Sequence, residues 1–207
     1  MLRGLNWTIG PGEHWGVVGP NGSGKSTLLR FVYGEQGAAL GARVARRGHP
    51  PGTHLSEWRG RVGLVSPELQ AEYLARVSVL ELVVSGRGAR IGLDAPPSAR
   101  ERAQARAALA RVGLAVDDGR PARELSYGQL RLALLARALI TRPEALLLDE
   151  PLTGLDPALR ASVRALLAEL AAEGVQLVVT AHRAADLPPE VGHLLVLAGG
   201  RAHARRR

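Results

Sequence analysis

Gly19-Pro20-Asn21-Gly22-Ser23-Gly24-Lys25-Ser26-Thr27 is the stretch that decides the fold. It fits the pattern G-x-x-x-x-G-K-[ST], which binds phosphate only when a strand precedes it and a helix follows. Both are present in the sequence: His14–Gly19 reads as a short apolar strand, and Ser26–Tyr33 as a helix. Glycines 19, 22 and 24 let the backbone turn its N–H groups inward around a phosphate, and the helix adds its positive end. Lys25 supplies a point charge for the outer phosphates, and the Ser26 hydroxyl is placed to bind Mg²⁺. Lys25 is also the single lysine of a chain that otherwise uses arginine for every strong base. The nine residues from Gly19 to Thr27 are therefore expected to cradle a nucleoside triphosphate.

Outward from this loop, Ala145–Leu148 is a continuous apolar run of the kind buried on both faces of a parallel sheet. It delivers Asp149 and Glu150 at its C-terminal end, where open α/β sheets bind ligands. Asp149 is expected to hold Mg²⁺, directly or through water, and Glu150 to orient or deprotonate the attacking water. Alone, such a pair is often a solvated strand end; beside a P-loop it points to hydrolysis.

Further strands are expected at Arg61–Val65, Val175–Thr180 and His193–Leu197, the last closed by a Gly199–Gly200 turn. Helices are expected at Ala99–Val112 behind a Ser98 cap, from Ser126 through Ile140, and at Pro157–Glu173. Strands and helices alternate at both ends, and the middle is rich in helix. The expected fold is an α/β P-loop NTPase with a mostly parallel core sheet, as one domain over 1–207 with an inserted helical subdomain at about 77–140.

Three more motifs occur in order. Leu125-Ser126-Tyr127-Gly128-Gln129 at a helix start resembles the signature of the ATP-binding cassette (ABC) family, usually LSGGQ. Gly154-Leu155-Asp156 resembles its D-loop, and Thr180-Ala181-His182 its switch histidine. The resemblance spans nearly the whole chain. It implies an ATPase in which two cassettes pair head to tail, with ATP between one P-loop and the other's signature. It gives catalytic roles to Lys25, Glu150, Asp156 and His182. Ser126, Gly128 and Gln129 would contact the nucleotide, with Ser126 and the helix it caps donating to the γ-phosphate. Asn6–Ile9, Gly12–Trp15 and Val62–Gln70 look like the branch often associated with molybdenum transport.

The chain departs from the family pattern in places. The metal-binding glutamine is expected directly after a proline, but Val65-Ser66-Pro67-Glu68-Leu69-Gln70 leaves Gln70 as a displaced candidate. Tyr127 replaces the first signature glycine. Trp7 lies too near the P-loop to be the family's adenine-stacking aromatic and reads as core, so the chain looks clipped by about one strand at its N-terminus.

Composition narrows the choices. The chain has 207 residues, 46% of them apolar, enough for one domain with a substantial core. It has no cysteine, which excludes disulfides and Cys-ligated zinc. No leader or spanning segment is visible, so the expected location is cytoplasmic, peripheral to the inner face of the cell membrane. The net charge of +8 invites a nucleic-acid reading, but the arginines are scattered, and aromatics, at 3%, leave few stacking platforms. Arg205–Arg207 reads as a disordered tail.

The leading expectation is the energising subunit of an ABC transporter, using ATP and Mg²⁺ as a homodimer with separate membrane-spanning subunits and no specific nucleic acid. The alternative is a non-transport ABC ATPase acting on nucleic acid or ribosomes. A small-molecule kinase would lack both the signature and His182.

Overall fold

The computed structural model describes residues 4–37, 41–50, 54–67, 69, 77–88 and 92–207. β1 (Trp15–Val18) is buried along its length and runs into the glycine loop, from which α1 (Lys25–Tyr33) starts. α2 (Leu55–Arg61) feeds directly into β2 (Val62–Val65). Among the described residues the α-helices that follow are α3 (Val79–Val84), α4 (Ala99–Arg111) and α5 (Tyr127–Leu139). Each begins with the same device, a reciprocal capping box: Ser78 with Glu81, Ser98 with Glu101, and Ser126 with Gln129. In each, the serine oxygen and the acidic or amide side chain satisfy two backbone N–H groups that the helix leaves open. β3 (Ala145–Leu148), α6 (Pro157–Ala172), β4 (Gln176–Ala181), β5 (His193–Ala198) and β6 (Arg201–Arg206) complete the fold.

Among the described residues the strands form one six-stranded sheet in the order β2-β3-β4-β1-β5-β6. All pairings are parallel except β5 with β6, so the sheet is mostly parallel, as expected. Side chains alternate along each strand and split the core between the two faces. Trp15, Val17, Leu64, Leu147, Val178 and Leu195 pack with Leu28 and Leu29 of α1. Val18, Val65, Leu148 and Val179 face a larger cluster built with α3, α4, α5 and α6. The loop after β1, Asp149 after β3 and the end of β4 therefore share one edge of the sheet, the C-terminal edge of parallel strands.

Most elements match the sequence-based expectation to within a residue or two. Arg61 ends α2 instead of opening β2. Trp7 is half-buried, with its ring edge-on to Trp15 at 5.5 Å, in keeping with its reading as core. The expectation of a disordered Arg205–Arg207 is corrected. Arg205 and Arg206 lie in β6, in register with Leu194 and His193, and Arg207 donates its backbone N–H to Gly192 and its guanidinium to the Pro188 carbonyl. Gly199 and Gly200, at φ 56° and 76°, make the left-handed turn that folds this segment back onto β5. No helix among the described residues is long and apolar enough to cross a membrane.

Candidate functional site

Gly24 adopts φ 97°, a left-handed conformation that a side chain would resist, and so turns the chain from the loop into α1. No acidic residue occupies the first turn of α1, leaving its positive end uncompensated. Lys25 opens the helix and is 5% exposed. Its Nζ donates to the carbonyls of Gly19 (2.9 Å) and Pro20 (3.2 Å) and lies 3.6 Å from Glu150 Oε1. The ammonium is thus folded back into the loop. The Ser23 hydroxyl is buried there without a partner. Pro20, Asn21, Gly22 and Thr27 are on the surface, and Ser26 is half-buried beside Lys25.

Asp149 is 2% exposed, its backbone N–H held by the Val65 carbonyl at 2.8 Å. Its Oδ1 accepts from the Thr180 hydroxyl at 2.5 Å, whereas Oδ2 is buried with no partner. A buried carboxylate oxygen without a donor is costly unless something else comes to it. Glu150 follows at φ 48°, left-handed for a residue with a side chain. That twist turns its carboxylate toward Lys25 on one side and His182 Nε2 on the other, the latter at 3.0 Å from Oε2. A cleft of about 220 Å³ opens beside Glu150, Thr153, Gly154, Thr180 and His182. No residue of 19–27 lines it.

The structure thus gathers Lys25, Asp149, Glu150 and His182 at one sheet edge. It does not bring Ser126, Gly128, Gln129 or Asp156 into contact with them. Ser126 and Gln129 are engaged in the capping box of α5, and the Asp156 carboxylate caps α6 by accepting from Leu159 N at 2.9 Å. Among the described residues no hydrogen bond or ion pair links Ser126, Gly128 or Gln129 to the P-loop. Gly128 is closely packed as well: a Cβ there would lie 2.5 Å from Leu159 Cδ2, so a side chain at this position requires the tip of Leu159 to shift. Gln70 lies outside the described residues.

Two residues had no role assigned from sequence. Thr180 was read only as part of the segment leading to His182, yet its hydroxyl joins both carboxylate positions. Tyr127, noted only as a departure, lies against Gly154, donates to the Thr153 carbonyl at 3.3 Å and accepts from Arg131 Nη2 at 2.8 Å. For Thr180 the available signal is a hydroxyl within the apolar run Leu177–Ala181.

The family model described as ABC transporter matches residues 2–153. The chain is 38% identical over 202 residues to the ABC transporter ATP-binding protein ModF of Escherichia coli, covering 94% of this chain and 41% of that one. It is 37% identical over 203 residues to the molybdenum import ATP-binding protein ModC of Mycobacterium tuberculosis, covering 95% and 54%. The chain therefore spans about half the length of these curated relatives, or less. Among solved structures it resembles cbiO1 of Clostridium perfringens, described as part of the ABC transporter complex cbiONQ. That likeness has a TM-score of 0.77 at 29% identity over 98% of this chain and 80% of the other.

Proposed function

The chain belongs to the ABC transporter family, as an ATP-binding cassette, and from that premise we propose that it binds and hydrolyses ATP to drive a transporter. The observation that carries this reading is the convergence of Lys25, Glu150 and His182 at the mouth of the glycine loop, beside the unpartnered Oδ2 of Asp149. On this reading the triphosphate takes the place that the loop carbonyls now fill around the Lys25 ammonium. The loop N–H groups and the α1 N-terminus bind phosphate oxygens.

Asp149 Oδ2 and the Ser26 hydroxyl fit Mg²⁺, a hard cation that keeps few protein oxygens and completes its shell with phosphate and water. The ion, when bound, would neutralise charge on the outer phosphates. Glu150 orients the attacking water and takes its proton, with its carboxylate set by His182. Two copies pair head to tail, so that Ser126, Gly128 and Gln129 of one reach the γ-phosphate held by the other, and Asp156 lies near that junction. The helices α3 to α5 form the subdomain that carries this end toward the partner. Separate membrane-spanning subunits receive the motion at the inner face of the membrane.

The test is ATP turnover by the purified chain with and without Mg²⁺, together with copurification from native membranes and identification of the bound subunit. Absence of Mg²⁺-stimulated turnover under conditions where ATP binds would remove the ATPase reading. Recovery with nucleic acid and no membrane subunit would remove the transport reading.

A further inference from the structure

Thr180 sits at the C-terminal end of β4, in register with Val17 of β1 and one step beyond the Leu148–Val179 pair that precedes Asp149. Strand alternation puts its side chain on the α1 face, in line with Val178. An apolar side chain would suit that stripe, and valine has nearly the same shape. The residue present instead is a threonine, 1% exposed, whose hydroxyl is carried into the core. A buried hydroxyl needs partners, and both of its partners belong to the candidate site.

The two bonds run in opposite senses. The hydroxyl donates to Asp149 Oδ1 at 2.5 Å, and its oxygen accepts the backbone N–H of Glu150 at 2.9 Å. Only a group that donates and accepts at one atom can do both. The first bond fixes the rotation of the Asp149 carboxylate and thereby aims Oδ2 away from Thr180 as the open acceptor. The second anchors the N–H of a residue held at φ 48°, where the chain would otherwise relax to the right-handed or extended region and swing the Glu150 carboxylate away from Lys25 and His182.

We infer that Thr180 is a positioning residue that sets the metal-binding carboxylate and the water-orienting carboxylate together, through one buried hydroxyl. The inference rests on the functional reading above. It adds that metal affinity and turnover are coupled through β4, not tuned independently at Asp149 and Glu150. Outer-shell groups of this kind commonly change metal affinity or activity by about 10–100-fold when removed.

The test compares wild type, Thr180→Val and Thr180→Ser in the whole chain by four measurements. These are thermal unfolding, binding of a fluorescent ATP analogue in EDTA, Mn²⁺ binding by electron paramagnetic resonance in the presence of nucleotide, and steady-state kcat and KM. Thr180→Val should bind the analogue in EDTA like wild type. Mn²⁺ should bind about 10–100-fold more weakly and kcat should fall by a similar factor, with KM for the metal-saturated nucleotide little changed. Thr180→Ser, which keeps the hydroxyl and loses the methyl, should recover most of both losses. Wild-type Mn²⁺ binding and kcat in Thr180→Val would overturn the inference. So would a folded Thr180→Ser variant whose Mn²⁺ binding and kcat fall about 10-fold or more below wild type, since the methyl and not the hydroxyl would then matter; read against wild type, this arm still decides if the valine variant fails to fold. A wild type that binds nucleotide but never turns it over overturns the ATPase reading itself. Turnover in wild type with an unaffected valine variant overturns only the role of Thr180.

Discussion

The Lys25 ammonium stands 3.6 Å from the Glu150 carboxylate while donating to two carbonyls of its own loop. One cation therefore satisfies two loop carbonyls and a carboxylate around the proposed phosphate position. On the proposed function, a bound triphosphate would exchange these internal partners for phosphate oxygens.

Replacing Lys25 with alanine is expected to weaken ATP binding by about 2 kcal/mol or more, roughly 30-fold, the scale of a charge-assisted hydrogen bond lost from a buried site. The glycine loop stays intact, so the fold should persist. Titration calorimetry with the nucleotide checks this. Equal affinity in wild type and Lys25→Ala would sink the assignment of residues 19–27 as the phosphate site.

Glu150→Gln keeps the size of the side chain but removes the base. ATP should still bind, and turnover should fall by roughly 100-fold or more. Trapped ATP should then hold two copies together, visible as a nucleotide-dependent dimer by light scattering. Wild-type turnover in this variant would move the water-orienting role elsewhere, with His182, 3.0 Å from the carboxylate, the nearest group.

His14 gives the stability a pH dependence. Its Nδ1 accepts from Leu177 N at 3.1 Å, which requires the unprotonated nitrogen. Burial lowers its pKa below the ordinary histidine value, against a smaller opposing pull from Glu190. The unfolded chain takes a proton near pH 6.5 and the folded one only at lower pH, so the unfolded state binds more protons between the two. This contribution is complete above about pH 6.5 and is lost as pH falls below it. In His14→Asn the amide oxygen can accept from Leu177 without titrating. Unfolding midpoints of the two proteins should run parallel above pH 7, and wild type should lose ground toward pH 5. Parallel curves throughout would show that His14 does not titrate on folding.

Tyr127 should matter to stability through Arg131. Arg131 is 1% exposed, and its guanidinium donates one bond to the Tyr127 hydroxyl, lies 5.5 Å from its ring centroid, and leaves Nε and Nη1 without partners. Tyr127→Phe keeps the ring and removes the acceptor, so it should cost about 1–3 kcal/mol. In an Arg131→Met background the same change should cost close to nothing. Equal costs in both backgrounds, measured by chemical denaturation, would show that the two residues are not coupled.

The parts of the site that the sequence shows are those whose chemistry is local. Gly19–Thr27 carries its own turn residues, charge and helix start, and Leu148-Asp149-Glu150 carries its own strand and carboxylates. Thr180 was not legible because its partner Asp149 lies 31 positions away, and nothing near Thr180 in the chain shows which strand will be beside it. α2 was missed because none of its residues is buried, so no apolar period marks it, and what starts it is the His54 side chain accepting from Ser56 N. β6 was misread for a related reason. Its only apolar residues, Ala202 and Ala204, alternate but are too small to mark a buried face, and the strand exists through backbone pairing with β5; the Gly199-Gly200 turn is the clearer local sign of it.

Among the described residues β6 also ends the sheet. A terminal strand offers unpaired N–H and C=O groups to any other extended chain, and proteins commonly blunt such a rim with charge. Arg201, Arg205 and Arg206 do so here, all exposed. A second molecule approaching rim to rim would bring guanidinium groups against guanidinium groups. The arginine richness that first suggested a nucleic-acid partner thus has, at this rim, a different consequence: it makes the protein a poor template for its own aggregation.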